Sequence, residues 1–177
     1  MRSLSVALLL VASLAGHLGA QGHPQTREGF WISFGFGYGS IGCEDCNNDD
    51  RVSGGSAYLR MGGTLSQRLL LGGEANGWSR EEGNVTVSIA NIGPVLVFYP
   101  AAQGGFFLKG GLGLASAERE IGRFSGEETG VGLTLGAGYD GRVSAGFALT
   151  PYFDLAVSSF DGASFNRYTF GLGFTWP

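Results

Sequence analysis

Apolar residues alternate with small or polar residues at every second position through most of this chain, and this alternation limits the fold more than any other feature. Between positions 29 and 39 the apolar set is Phe30, Ile32, Phe34, Phe36 and Tyr38. Successive side chains of a β-strand point to opposite faces, whereas an amphipathic helix repeats its apolar positions every three or four residues. The helical repeat is not found in any segment. The chain is therefore predicted to be all-β.

Eight segments follow this alternating pattern and are predicted to be strands. They span about 29–39, 56–65, 68–78, 85–99, 106–114, 131–139, 147–158 and 167–176. Short connections at about 66–68, 100–105 and 140–146 alternate with longer polar ones at about 40–55, 79–84, 116–128 and 159–166. Three short turns and four loops are what eight antiparallel up-and-down strands require. Pro94 predicts a β-bulge in the fourth strand, because proline cannot donate to a sheet ladder.

The first twenty residues have the features of an export signal. Arg2 supplies the positive charge, Leu4 to Leu14 form an apolar stretch, and Ala20 ends a small-residue cleavage site. The apolar stretch is shorter than the ~20 residues of a membrane-spanning helix. We assign residues 1–20 to a cleaved signal peptide, 21–28 to a short mature N-terminal segment and 29–177 to the barrel.

The composition indicates which face of the sheet is buried. Only 15% of the residues are charged and 33 are glycine, whereas charged residues make up ~25% of an ordinary soluble domain. The polar-side positions are mainly Gly, Ser, Thr and Ala, which suit the narrow interior of an eight-stranded barrel. In hydrocarbon every backbone group must be paired within the protein, as a closed barrel allows. A transmembrane barrel is therefore favoured over a soluble, lipocalin-like barrel with an apolar interior.

Aromatic residues near the strand ends are predicted to form the girdles that lie at the two membrane interfaces. These residues are Tyr38, Trp78, Tyr99, Tyr139, Tyr168 and Trp176. Trp78 differs from the others because it falls on the parity that faces the lumen.

The last predicted strand carries a resemblance to a known family. Its apolar positions are Tyr168, Phe170, Leu172, Phe174 and Trp176, and it resembles the C-terminal strand of bacterial outer-membrane barrels. Together with the signal peptide and the strand pattern, residues 29–177 resemble the OmpA/OmpX-like small eight-stranded barrels. This resemblance implies a bacterial outer-membrane location, contact with outer-membrane lipid and lipopolysaccharide, and recognition of the last strand by the barrel-assembly machinery. Pro177, after the terminal aromatic residue, departs from the family pattern.

Within the predicted strands, past their first residues, four charged residues fall on the lumen-facing parity: Arg60, Glu74, Lys109 and Asp154. A hairpin folded about residue 67 places Arg60 directly opposite Glu74, so we expect a cross-strand ion pair there. An unpaired buried charge is very costly, whereas paired buried charges are tolerated. The four residues are therefore predicted to form an ion-pair network that fills the narrow lumen.

The first long connection contains a Cys-x-x-Cys motif, Cys43 and Cys46. Such a pair can be a redox motif, half of a zinc site, a local disulfide or two free thiols. The chain has no second such motif to complete a zinc site and no βαβ pattern typical of thioredoxin-like chemistry. Asp45, Asn47 and Asp49 match the first spacing of a calcium loop, but the turn glycine and the bidentate glutamate are missing. We predict a disulfide that closes the loop, or two free thiols, and no metal or cofactor.

The sequence contains no arrangement typical of an enzyme. Its two histidines, His17 and His23, precede the first strand, so a histidine-assisted nucleophile is not expected in the barrel. Removal of Arg2 with the signal peptide changes the net charge from −4 to −5, which argues against a nucleic-acid partner. Eleven of the fifteen acidic residues lie in the four long connections. We predict a structural or surface-interaction role with an unidentified loop partner. The alternative is a narrow channel or carrier for small or hydrophobic solutes.

Overall fold

A computed structural model describes residues 26–43, 51–121 and 124–176 of the protein. These ranges form nine strands, which are β1 (Phe30–Cys43), β2 (Val52–Ser66), β3 (Leu69–Glu82), β4 (Val85–Phe98), β5 (Phe106–Ile121), β6 (Phe124–Tyr139), β7 (Gly141–Ser144), β8 (Phe147–Phe160) and β9 (Ala163–Trp176). None of the described residues belongs to a helix that is long and apolar enough to cross a membrane. The predicted signal peptide lies outside the described residues.

Eight long strands close into an antiparallel up-and-down barrel, as the alternation predicted. Each long strand pairs with the next one along the chain, β6 pairs with β8, and β9 pairs with β1 to complete the ring. The short strand β7 follows β6 after Asp140 and pairs with the start of β8. We call the end that contains residues 26–29 and the turn at Gln67 the turn end, and the end that contains Cys43 and Gly83 the loop end.

Most of the residues predicted to form long polar loops belong instead to paired strands. β3 and β4 are joined through Gly83 and Asn84, and β8 and β9 through Asp161 and Gly162. Both glycines have positive φ, 63° and 91°, as a tight hairpin requires. The eight long strands contain 14 to 16 residues, more than the ~9–11 that cross a membrane. Backbone pairing therefore continues beyond the apolar band, where the side chains no longer alternate clearly.

The predicted bulge at Pro94 is wrong. Ile92 lies opposite Leu114 and Val95 lies opposite Gly111, so β4 and β5 both advance three residues between these pairs. The register between β3 and β4 also continues unchanged through Pro94. Proline removes a ladder donor at this point without the insertion of an extra residue. Register shifts occur instead near the turn end, at Thr64 in β2 and at Arg142 in β7.

The two faces of the barrel wall follow the predicted parity. Phe170 is 72% exposed on the outer face of β9, whereas Phe107 is completely buried in the lumen. Of the predicted girdle residues, Tyr38, Tyr168 and Trp176 are exposed on the outer face, and Tyr139 is half-buried.

Two predicted girdle residues do not lie on the outer face. Trp78 and Tyr99 are each 3% exposed and face the barrel interior. Tyr99 directly follows β4 and shares the lumen-facing parity of Val95 and Val97, which are also buried. Its hydroxyl donates to the carboxylate of Asp140 at 2.6 Å. The girdle assignment of Tyr99 is therefore wrong, because the parity of β4 continues past the end of the strand.

Candidate functional site

The barrel interior consists of three layers along its axis. At the turn end lies an apolar layer, which we call the lower apolar layer: Trp31, Leu70, Val95, Val97, Tyr99 and Phe107. At the loop end lies the upper apolar layer: Ile41, Trp78, Ile89, Ala115 and Phe160, with Val87, Ala117 and Phe165 packed against it. Buried polar and charged residues occupy the charged layer between them. The sequence predicted the charged layer but neither apolar layer.

Lys109 is the centre of the charged layer. Its ammonium group donates to both carboxylate oxygens of Glu74, at 2.7 and 2.5 Å, and lies 2.9 Å from Oδ2 of Asp154. The side chains of all three residues are at most 7% exposed. Glu74 belongs to β3 and Asp154 to β8, which are four strands apart in either direction around the ring. The three side chains therefore connect opposite walls of the barrel.

The network differs from the prediction at Arg60. The register is as predicted, since Arg60 lies directly opposite Glu74. Among the described residues, however, Glu74 forms its ion pair with Lys109, and a further hydrogen bond of 2.9 Å comes from Asn76. The Arg60 guanidinium instead lies 4.9 Å from the ring centre of Tyr58 and 4.8 Å from that of Phe107. The direct Arg60–Glu74 ion pair is wrong, because Lys109 reaches the carboxylate across the lumen.

Arg167 is a third buried cation of the charged layer, after Lys109 and Arg60, and was not predicted from the sequence to belong to it. Its guanidinium donates to the side-chain oxygen of Asn76 and, at 3.3 Å, to the carbonyl of Ile89. Asn76 and Asn91 also contact each other, and Ser158 donates to Asn91 at 3.1 Å. Arg167 has the same parity as the lumen-facing Thr169, so the strand pattern contained this signal. Arg167 was not predicted to be part of the network because it is the first residue of the predicted last strand.

The turn end of the lumen is closed by Arg27, which lies in the segment before β1. The Arg27 side chain is buried, and its guanidinium lies 3.4 Å from the ring centre of Tyr99. It also donates to the carbonyls of Ala102 and Gly104, at 3.1 and 2.6 Å. Burial raises the pKa of the Tyr99 phenol, and the Asp140 carboxylate raises it further. Tyr99 therefore stays protonated and able to donate to Asp140.

The loop end of the lumen contains an open cavity of about 440 Å³, which we call the cup. Its lining residues are Ile41, Gly42, Cys43, Val52, Trp78, Arg80, Glu82, Val85, Val87, Ile89 and Phe165. Trp78 lies on the floor, and its indole N–H donates to the carbonyl of Gly39 at 3.1 Å. At the rim, Arg80 forms an ion pair with Glu82 at 2.8 Å. The cup therefore combines apolar walls with one charged pair.

The remaining predicted sites are the Cys-x-x-Cys motif with its neighbouring calcium candidates, and the last strand. Cys43 is disulfide-bonded, whereas Cys46 and the calcium candidates Asp45, Asn47 and Asp49 lie outside the described residues. Within the described ranges, no group of three or more His, Cys, Asp or Glu side chains is placed to hold a metal ion.

The residues predicted to form the assembly signal lie on the outer face of β9. Tyr168, Phe170, Leu172 and Trp176 are exposed, and Phe174 packs against Phe34 with 5.4 Å between ring centres. The recognition of this strand by the assembly machinery stays a prediction.

Comparison with known proteins identifies solved structures with a similar fold. No family model matches the chain, and no curated protein matches its sequence. The crystal structure of Neisserial surface protein A is similar with a TM-score of 0.68 and 12% identity, over 83% of this chain and 96% of that one. Ail, the attachment invasion locus protein of Yersinia pestis, has a TM-score of 0.57 and 18% identity over 84% and 99%. The outer membrane protein OprG from Pseudomonas aeruginosa has a TM-score of 0.50 and 11% identity over 86% and 99%. The chain therefore has the fold of the small eight-stranded outer-membrane β-barrels.

Proposed function

We propose that the protein is a bacterial outer-membrane surface protein whose barrel does not conduct and whose interactions occur at the loop end. The structural similarity to a surface protein, an attachment protein and an outer membrane protein supports this location. In such barrels short turns face the periplasm and the opposite end faces outward. The turn end would then be periplasmic and the loop end external.

The observation that carries the proposal is the Lys109 bridge between Glu74 and Asp154, which spans the lumen. An ion that passed this layer would have to displace contacts of 2.5 to 2.9 Å between charged side chains that are at most 7% exposed. The lower apolar layer adds a second obstacle, because Phe107 and Val97 are almost completely buried there. Apolar constrictions exclude water and ions even where a narrow gap exists. Both features support a closed lumen.

Single-channel recording in planar lipid bilayers tests the proposal. The purified barrel is expected to give no stepwise conductance, while its folded state is checked by the difference in gel mobility before and after boiling. Discrete conductance steps from the same folded preparation would overturn the proposal and favour the narrow channel or carrier.

The same proposal assigns the outer face to outer-membrane lipid and lipopolysaccharide. Exposed apolar side chains from several strands, such as Phe36, Ile92, Leu112 and Phe170, support this contact. Near the loop end, Glu118 and Glu127 lie directly opposite each other and are exposed. Like charges at facing positions are unfavourable without counter-ions, so this hairpin fits the aqueous zone beyond the membrane. The proposal includes no enzymatic activity and no cofactor.

A further inference from the structure

The cup at the loop end has the lining and the volume of a small-molecule site. Its lining residues Ile41, Val52, Val85, Val87 and Phe165 all have the lumen-facing parity of their strands. A volume of about 440 Å³ lies within the range of about 300–1,000 Å³ that is typical of small-molecule sites, which occur preferentially at places such as barrel mouths.

Two glycines hold the floor of the cup in place. A Cβ atom at Gly39 would lie 2.9 Å from Cδ1 of Trp78, and one at Gly54 would lie 2.9 Å from its Cε2. The indole therefore occupies space that a Cβ atom at Gly39 or Gly54 would enter, so any other residue at either position would displace it. Its hydrogen bond to the Gly39 carbonyl fixes its orientation. Trp78 thus lies between the cup and the charged layer.

The charged groups at the rim differ in their availability to a ligand. Arg80 donates to Glu82 and, at 3.4 Å, to the carbonyl of Ser53. A guanidinium has five N–H donors, so most remain available to a second acceptor. The Glu82 side chain, which also lines the cup, is 77% exposed, whereas that of Arg80 is 36% exposed.

Two further charged residues, Arg119 and Glu128, lie near the rim at positions with lumen-facing parity. Arg119 lies directly beside Val87, which separates it from Arg80 in the same row of the sheet. Glu128 lies opposite Ala117 on the lumen-facing parity of β6. Arg80 and Arg119 therefore flank one wall residue of the cup, and Arg119, Glu82 and Glu128 are all exposed.

We propose that the cup binds a medium-chain aliphatic carboxylate, which goes beyond the proposed function and does not depend on whether the lumen conducts. The chain lies against Trp78, Val87 and Phe165, and the carboxylate accepts hydrogen bonds from Arg80. A methylene group is similar in size to a water molecule, which occupies about 30 Å³ in the liquid. Ten such groups occupy about 300 Å³, so a chain of about ten carbons fits the cup of about 440 Å³.

Decanoate is a suitable probe, with the barrel in lipid nanodiscs and the tryptophan indole N–H signals followed by NMR. The Trp78 signal is expected to shift and saturate, because its N–H lies at the floor of the cup. Trp31, in the lower apolar layer, is expected to stay unchanged. Trp176, on the outer face, reports decanoate that has only entered the bilayer. Absence of a saturable Trp78 shift in the folded barrel would overturn the proposal.

The head-group assignment is tested first with matched ligands on the wild-type protein and then with one variant and its control. Decanoate is expected to bind at least about tenfold more tightly than decyltrimethylammonium, because its carboxylate accepts charge-assisted hydrogen bonds from Arg80, whereas the trimethylammonium group has no acceptor and carries the same charge as Arg80. Arg80→Ala is expected to remove this preference, while the control Arg68→Ala at the turn end keeps it. Equal binding of the two amphiphiles by the wild-type protein would contradict the assignment.

The location of the site is tested by filling the cup. Val87→Trp is expected to abolish the saturable shift. The control Thr86→Trp places the same side chain one residue away on the outer face and is expected to retain it. Gel mobility before boiling confirms that both variants are folded. Unchanged decanoate binding by folded Val87→Trp would show that the ligand lies elsewhere and would overturn the proposal.

Discussion

The two ends of the barrel interior are built from similar residues but finish differently. Each has an apolar layer with a buried tryptophan, Trp31 at the turn end and Trp78 at the loop end. At the turn end, Arg27 and the connecting turns cover the layer. At the loop end the strands continue past Trp78 and leave the cup above it. The same kinds of residue therefore form a seal where the chain supplies a cover and a pocket where the wall extends beyond them.

The largest expected effect concerns the charged layer that separates the two ends. Lys109→Ala leaves Glu74 and Asp154 buried without their cation and is expected to lower the free energy of unfolding by about 3–5 kcal/mol. Urea unfolding of the barrel in lipid vesicles, followed by tryptophan fluorescence, measures this loss. A triple variant, K109M/E74Q/D154N, removes all three charges and is expected to recover much of it. A loss below about 1 kcal/mol for Lys109→Ala would contradict a desolvated bridge.

Arg60→Ala provides a contrast within the same layer. Its guanidinium packs over two aromatic rings and forms no ion pair with Glu74 in the described part of the chain. The expected loss is about 1–2 kcal/mol, smaller than that of Lys109→Ala. Equal losses for the two variants, measured in the same urea titration, would indicate that Arg60 and Lys109 support the carboxylates to the same extent.

Substitution of the two buried tryptophans, Trp31 and Trp78, compares how much each end contributes to the free energy of unfolding. Trp31→Ala is expected to cost about 3–5 kcal/mol, because it creates a closed cavity. Trp78→Ala is expected to cost less, since the space that it vacates joins the open cup and can fill with water. The two unfolding free energies are measured under identical conditions. A larger loss at Trp78 than at Trp31 would contradict the distinction between a sealed end and an open one.

Removal of the Arg27 side chain, which covers the lower apolar layer, is expected to open the turn end to water, as the loop end is open. Arg27→Ala removes the contact with Tyr99 and the hydrogen bonds to the turns, at a cost of about 2 kcal/mol. Quenching of Trp31 fluorescence by iodide is expected to increase, while that of Trp78 stays constant. Arg68→Ala, at an exposed position of the same end, is the control. Unchanged quenching of Trp31 would mean that Arg27 is not the seal.

The smallest expected effect on stability is at the rim of the cup. Arg80→Ala is expected to change the free energy of unfolding by less than about 0.5 kcal/mol, because exposed ion pairs contribute little. The same variant is expected to lose its preference for decanoate. A rim residue that alters ligand choice but not stability would mark the loop end as a binding surface rather than a packed layer.

The sequence predicted the register of the second hairpin correctly but not the contacts that result from it. Arg60 lies opposite Glu74 because a strand pair joined by a short turn leaves little freedom in register. Residues that face each other on neighbouring strands point in the same direction and need not touch at their charged ends. Lys109 reaches Glu74 from β5, and no pattern along the chain measures a distance across the lumen.

The long loops were predicted because the alternation fades near the hairpin tips. Side-chain pattern reports the environment on the two faces of a strand, and both faces meet water beyond the membrane. Backbone pairing does not depend on that environment, so the strands continue to Glu82 and Phe160. The cup could not be predicted for the same reason, since its walls are these strand extensions.

The sequence alone determined the all-β class, the eight long strands and the apolar outer face, because period-two alternation and the strand count are local properties that do not depend on closure. Only the tertiary structure decided which lumen residues meet, which end is sealed and where a cavity remains. Closure of the ring brings Asp154 of β8 within reach of a lysine that also holds Glu74 of β3. Such contacts depend on the width of the barrel and the reach of each side chain, which no local pattern contains.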